Sequence, residues 1–294
     1  MRLWVTYVVA FGMSAAAHGQ TSSTTVPPTV TKTNAVKTQT ATLEVNENPV
    51  RIRLYNEVFG AQSQLNRGSI GEREDEIGGY GYIRVGQQVS DNWALSGNIQ
   101  YLFRTTDRDD NFDFEDPYIM GVYTGFANIG TATQTNISRV YLPVGEPAED
   151  RGHRVRLRNY HLINQNLARG FAVGWMTRTQ LDMYPSGRPS ESQSFQVWND
   201  LSLSYSGFGK YFSPSTSLGL ISDYFPTESE RSANRDRLAF YVNASSQVTD
   251  QVSLGFSYEQ IHDVRAANGN RVRSLSAFNE DDTSSYYLTL TANM

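Results

Sequence analysis

Arg154-Val155-Arg156-Leu157-Arg158-Asn159-Tyr160-His161-Leu162-Ile163-Asn164-Gln165-Asn166 begins with an arginine at every second position, and Val155 and Leu157 stand between them. In a strand, alternate side chains leave opposite faces. Three guanidinium groups therefore share one face, and the aliphatic residues share the other. A soluble sheet would bury Val and Leu and leave arginine in water. A strand in a closed membrane-spanning barrel does the reverse, with lipid on the aliphatic face and the arginines lining a wet interior. The remainder of the chain decides between the two.

From residue 49 onward the sequence reads as twelve strand-like runs, at about 50–60, 77–89, 93–104, 117–129, 134–144, 154–166, 171–183, 194–206, 214–225, 236–248, 251–263 and 283–294. Several alternate cleanly. Trp93, Leu95, Ile99, Tyr101 and Phe103 oppose Ala94, Ser96, Asn98, Gln100 and Arg104. Leu238, Phe240, Val242 and Ala244 oppose Arg237, Tyr241 and Asn243. The connections alternate as well. Those at 61–76, 105–116, 145–153, 184–193, 226–235 and 264–282 are long and polar, whereas the intervening ones are mostly short. A β-sandwich has no reason to sort loops by parity. A transmembrane barrel does, with long outer loops and short periplasmic turns. The even strand count permits closure, which removes the two exposed edges of an open sheet. The expected fold is all-β: a closed antiparallel transmembrane β-barrel of about twelve strands with both termini periplasmic. Tyr118, Tyr184, Tyr224 and Phe225 are expected in an aromatic belt at the outer rim, and Trp93 and Phe171 at the inner one.

Bulk composition alone would mislead. Hydrophobic residues make up 39% and mean hydropathy is −0.47, values that suit a soluble protein. Alternating barrel strands average to the same modest hydropathy. The chain has no cysteine, which removes disulfide and thiolate chemistry, and its net charge of −5 argues against nucleic-acid binding. Residues 1–19 have a positive Arg2, an apolar stretch from Leu3 to Met13 and small residues at Ala17 and Gly19, the pattern of a secretory signal peptide. Residues 20–48 are Thr- and Pro-rich without apolar periodicity and read as a disordered leader, leaving 49–294 as the barrel.

On these features the chain resembles the bacterial outer-membrane β-barrel family, in particular its small porin-like members of about a dozen strands. The last strand, Tyr286-Tyr287-Leu288-Thr289-Leu290-Thr291-Ala292-Asn293-Met294, is similar to the terminal signal read by the barrel-insertion machinery. It ends in Met294 where the family usually has an aromatic residue. The resemblance implies an outer-membrane location among lipid and lipopolysaccharide.

With the apolar faces set outward, the expected pore-lining bases are Arg51, Arg53, Arg84, Arg104, Arg139, Arg154, Arg156, Arg158, Arg178 and Arg237. The expected acids are Glu57, Asp182, Asp200 and Glu259. Ten bases against four acids give the lumen an excess of six positive charges. The outer loops hold the balancing acid, above all in 107–116. Arginine stays charged and presents fixed donors to anions, so the expected function is passive diffusion of small hydrophilic, preferably anionic solutes, with no cofactor.

Two other classes compete. A filled structural or adhesin-type barrel would close its lumen with packed side chains, whereas the channel needs a continuous water-filled one. An outer-membrane phospholipase would need a Ser–His pair on the lipid-facing rim. His262 and Ser284 have that parity, with Asn234 or Asp236 nearby, but no motif surrounds them, so an enzyme is not the expectation. Asp107, Asp109, Asn111, Asp113 and Glu115 are spaced partly like a calcium loop, but Phe112 stands where such a loop needs glycine, so no metal site is assigned.

Overall fold

The alternation of faces runs through twelve strands: β1 (Val50–Ala61), β2 (Gly78–Ser90), β3 (Trp93–Arg104), β4 (Phe112–Tyr123), β5 (Thr133–Tyr141), β6 (Val155–Asn166), β7 (Phe171–Met183), β8 (Phe195–Tyr205), β9 (Ser213–Tyr224), β10 (Arg235–Gln247), β11 (Val252–Asp263) and β12 (Ser284–Asn293). The computed structural model describes residues 50–61, 78–104, 112–144, 155–184, 195–224, 235–264 and 284–294, without the side chains of Ala61, Arg104, Lys210, Arg235, Asp263 and Ser284. The segments 1–19 and 20–48 lie outside the described residues.

Each strand pairs antiparallel with its neighbours in sequence, and β1 pairs with β12 to close the barrel. That seam runs from Arg53 opposite Asn293 to Ala61 opposite Ser285. Ile52 and Met294 extend it by exchanging backbone hydrogen bonds of 3.1 and 2.9 Å. Closure gives every strand a neighbour on both sides, the condition for a sheet to stand in lipid, although β5 pairs only with the Tyr118–Tyr123 half of β4. Both ends of the ladder, Val50 and Met294, lie at the same end of the barrel; the long connections lie at the other.

Burial divides the wall into two faces. In β6 the even-numbered Arg156, Arg158, Tyr160 and Leu162 are buried, while Val155, Leu157, Asn159 and His161 are more accessible. The accessible face is apolar over most of the circumference: Leu218 and Leu220 on β9, Val242 on β10, Phe256 on β11 and Leu288 and Leu290 on β12 are all exposed. The buried face carries arginine, carboxylate, amide, hydroxyl and tyrosine. A soluble protein would have these polarities exchanged. Aromatic pairs frame the accessible face at both ends. Trp93 packs on Tyr123 and Phe171 on Tyr205 near the termini, and Phe195 packs on Tyr224 at the far end.

Two details differ from expectation. Strand β4 begins at Phe112 and ends at Tyr123, some five residues earlier than the sequence pattern suggested. Phe112 and Phe114 face outward opposite Phe103 and Tyr101, so the ladder continues through a stretch that its charge made look like a loop. The connection 105–111 is consequently shorter than 124–132 at the opposite end, an exception to the loop-length parity. Tyr118 is also not a belt residue. It is 2% exposed, on the inward face of β4.

Candidate functional site

Among the described residues, most of the charged groups lie in the interior of the barrel. Of the expected lining residues, Arg53, Arg84, Arg139, Arg156, Arg158 and Arg178 are buried on the inward face, with Arg51 and Arg237 partly buried on the same parity. Glu57, Asp182, Asp200 and Glu259 are buried there too. Arg154 lies outside the described residues, as does the side chain of Arg104, whose backbone pairs with Gly78 at the loop end of β3.

Sequence reasoning missed four inward carboxylates. Asp223 and Asp116 are buried, and Asp113 and Glu115 share the face of Leu102 and Gln100 across the β3–β4 ladder. Among the described residues eight arginines therefore meet eight carboxylates on the inward face, and the expected excess of six positive charges is absent. Both signs occur on both halves of the wall. Strands β2 to β7 carry Arg84, Arg139, Arg156, Arg158 and Arg178 with Asp113, Glu115, Asp116 and Asp182, and strands β8 through β12 to β1 carry Arg51, Arg53 and Arg237 with Asp200, Asp223, Glu259 and Glu57.

The arginines are held by aromatic rings as much as by acids. The Arg139 guanidinium lies between two tyrosines, 4.9 Å from the Tyr118 ring centroid and 4.8 Å from that of Tyr160. Arg158 lies 4.9 Å over Tyr141, Arg84 4.7 Å over Tyr82, and Arg178 4.7 Å over Trp198. A planar guanidinium on a ring face gains cation–π attraction and keeps its edge donors available. Gly219, inward on β9, lets the Trp198 indole lie across the backbone and stack on Tyr241 two strands away, with centroids 6.0 Å apart. A side chain at 219 would occupy the place of that ring.

Hydrogen bonds link the stack into bands. The Tyr141 hydroxyl accepts from Arg158 Nη1 at 2.9 Å and from Arg139 Nη1 at 3.3 Å. Arg158 Nε donates to Gln180 at 2.6 Å, and Arg156 Nε donates to Asp182 at 2.6 Å in an ion pair. Arg237 meets Asp223 at 2.8 Å. Arg53, Arg139 and Arg178, in contrast, form no ion pair with a described residue. Buried nitrogens of each lack an acceptor: Nε in Arg53 and Arg139, and Nε with Nη1 in Arg178.

The inward side chains are closely covered. Arg178 and Trp198 are each 1% exposed, and no other described inward arginine except Arg51 and Arg237 exceeds 7%. The aromatic partners were legible in part, since Tyr160 has the same parity as Arg156 and Arg158, and Trp198 the same parity as Asp200.

The lipid-facing Ser–His pair gains little. His262 pairs with Leu238 on the outward parity of β11, and the Ser284 backbone stands opposite Gln260, two residues closer to the termini; the Ser284 side chain and Asn234 are not among the described residues. Of the acidic stretch, Asp107, Asp109 and Asn111 also lie outside the described residues.

Comparison with known proteins supports the fold. No family model matches the chain, and no curated protein does. Among solved structures, the COG4313 outer membrane channel from Pseudomonas putida F1 superposes with a TM-score of 0.56 at 12% identity, covering 89% of this chain and 100% of that one. The NanC porin gives a TM-score of 0.48 at 10% identity, and the KdgM porin 0.46 at 8%, each covering 82% of this chain and 98% of the other.

Proposed function

Starting from a chain that has the fold of the small porin-like outer-membrane barrels, we propose that it is a bacterial outer-membrane channel, passing small hydrophilic solutes by diffusion with a preference for anions. The observation that carries the reading is the set of guanidiniums at Arg53, Arg139 and Arg178, buried on the inward face without a carboxylate partner among the described residues. A buried cation is costly unless it is paired or hydrated. Nitrogens that find no acceptor in the wall are suited to water or a passing anion. The rings beneath Arg139 and Arg178 fix the guanidinium planes without neutralising them. Selectivity in this reading comes from these guanidiniums without a carboxylate partner rather than from net lumenal charge, which is balanced among the described residues. The chain itself does no chemistry on the solute.

The test is the reversal potential of the refolded protein in a planar bilayer under a KCl gradient. A chloride-favouring potential that moves towards zero in the Arg139→Gln/Arg178→Gln variant supports the reading. A cation-favouring potential, or one unmoved by the substitutions, rejects the role given to these arginines. The very low exposure of the inward side chains favours a second reading, a filled barrel whose loops serve as adhesin or receptor. A folded barrel without conductance would establish that reading instead.

A further inference from the structure

Seven polar side chains stand on the lipid-facing side of the wall at mid-height, all on four adjoining strands: Asn136 and Ser138 on β5, Asn159 and His161 on β6, Thr177 and Thr179 on β7, and Asn199 on β8. Their parity is opposite to that of the buried Ile137, Arg158, Tyr160, Arg178 and Trp198, so they face outward. Register sets them side by side: Asn136 opposite His161, Ser138 opposite Asn159, Asn159 opposite Thr179, and Thr177 between His161 and Asn199. Apolar side chains flank the patch, Val140, Leu157 and Leu181 on the loop side and Ile163, Trp175 and Leu201 on the terminal side. Near mid-strand on β9, β10 and β12 the outward residues are aliphatic or aromatic, among them Leu218, Leu220, Val242 and Leu288, while β11 carries Gln260 and His262 on that parity.

Hydrocarbon offers no hydrogen-bond partner, so polar groups that face it must satisfy one another or meet protein. Part of the patch satisfies itself. Asn136 and Asn159 exchange amide hydrogen bonds of 3.0 Å, Asn159 donates to Ser138 at 2.9 Å, and the Thr177 hydroxyl bonds Asn199 Oδ1 at 2.9 Å. The remainder is open: the Thr179 hydroxyl, the His161 ring nitrogens and Asn199 Nδ2 have no hydrogen-bond partner among the described residues.

We infer that this patch is the contact face for a second copy of the chain, the same four strands meeting across a twofold axis in the membrane. Three observations select that occupant. Amides and hydroxyls both donate and accept, so the patch is complementary to itself, as an isologous interface requires. It holds no Lys, Arg, Asp or Glu, and mid-height is out of reach of lipid headgroups, so a charged partner has nothing to bind. The polar centre within an apolar surround matches the way membrane-embedded segments associate, by packing with interchain hydrogen bonds. The inference is independent of whether the lumen conducts.

The chain has no native cysteine, so single introduced cysteines report contact directly. In vesicles holding the full chain, Ser138→Cys and Thr179→Cys are expected to give a disulfide-linked dimer under a membrane-permeant oxidant. Val58→Cys on β1 and Leu288→Cys on β12, on the other side of the barrel, are expected to give none. Equal yields from patch and control positions, or no dimer from either patch position, would overturn the proposal. In detergent, Asn159→Leu/Thr179→Val/Asn199→Leu should weaken the sedimenting dimer at least tenfold while heat-dependent gel mobility still reports a folded barrel. A wild-type chain that is monomeric at every concentration, or a folded variant that dimerises as the wild type does, refutes the interface. Should the triple variant not fold, the cysteine series decides alone.

Discussion

Arg156 and Asp182 face each other across the β6–β7 ladder, both nearly out of solvent, at 2.6 Å. Removing one partner of a buried pair strands the other charge, which costs about 3–5 kcal/mol, whereas replacing both with apolar groups of similar volume is often neutral. Asp182→Asn should therefore lower the urea midpoint of vesicle-inserted protein more than Arg156→Met/Asp182→Leu does. A double variant as unstable as the single one would mean that Arg156 and Asp182 are held mainly by the rest of the band, including the Gln180 amide that also donates to Asp182. On the outer face, Gly81 of β2 lies under the Tyr101 ring, whose hydroxyl crosses β2 to Asn56 on β1. A Cβ at 81 would meet that ring. Gly81→Val is expected to cost about 1–3 kcal/mol by overpacking and to be partly rescued by Tyr101→Ala, a pairing that equilibrium unfolding of the three variants would measure.

At the scale of the element, the faces of most strands could be read from the chain, because lipid on one side and a polar interior on the other impose a strict period of two. β4 shows where that failed. Its first residues alternate phenylalanine with acid, Phe112-Asp113-Phe114-Glu115, and the run of carboxylates outweighed the two aromatics that carry the strand signal. The register against Phe103 and Tyr101 is a long-range fact that a single strand does not contain. The same shift brought Asp113, Glu115 and Asp116 inward and so changed the charge balance of the site. Parity can be tested where it is clearest, on β10. Val242 faces outward at mid-strand beside the buried Asn243. Arginine facing the bilayer midplane costs about 2–4 kcal/mol. Val242→Arg should lose stability on that order in a urea titration, and Asn243→Arg should lose less. Equal losses would place the face assignment of β10 in error.

At the scale of the molecule, closure and polarity together determine what the interior can be. The arginines could be placed inside from the sequence. Their aromatic supports and the additional carboxylates of β4 depend on neighbours brought in by the ladder, as Gly219 makes room for Trp198 to reach Tyr241. These two rings stand in the interior with Arg178 on the face of Trp198. Trp198→Ala/Tyr241→Ala removes both rings and leaves the arginines in place. If the lumen is a hydrated path, the truncation should raise single-channel conductance over the wild type and weaken anion preference, because Arg178 loses the ring that holds its plane. If the rings are instead part of a dry core, the cost should approach the roughly 3–5 kcal/mol of an aromatic truncated within a packed interior, and the folded fraction should remain electrically silent. Conductance and unfolding measured on the same preparation separate these outcomes, since a wet wall gives up little stability when a ring is removed and a packed core gives up much. The channel reading requires the first pattern.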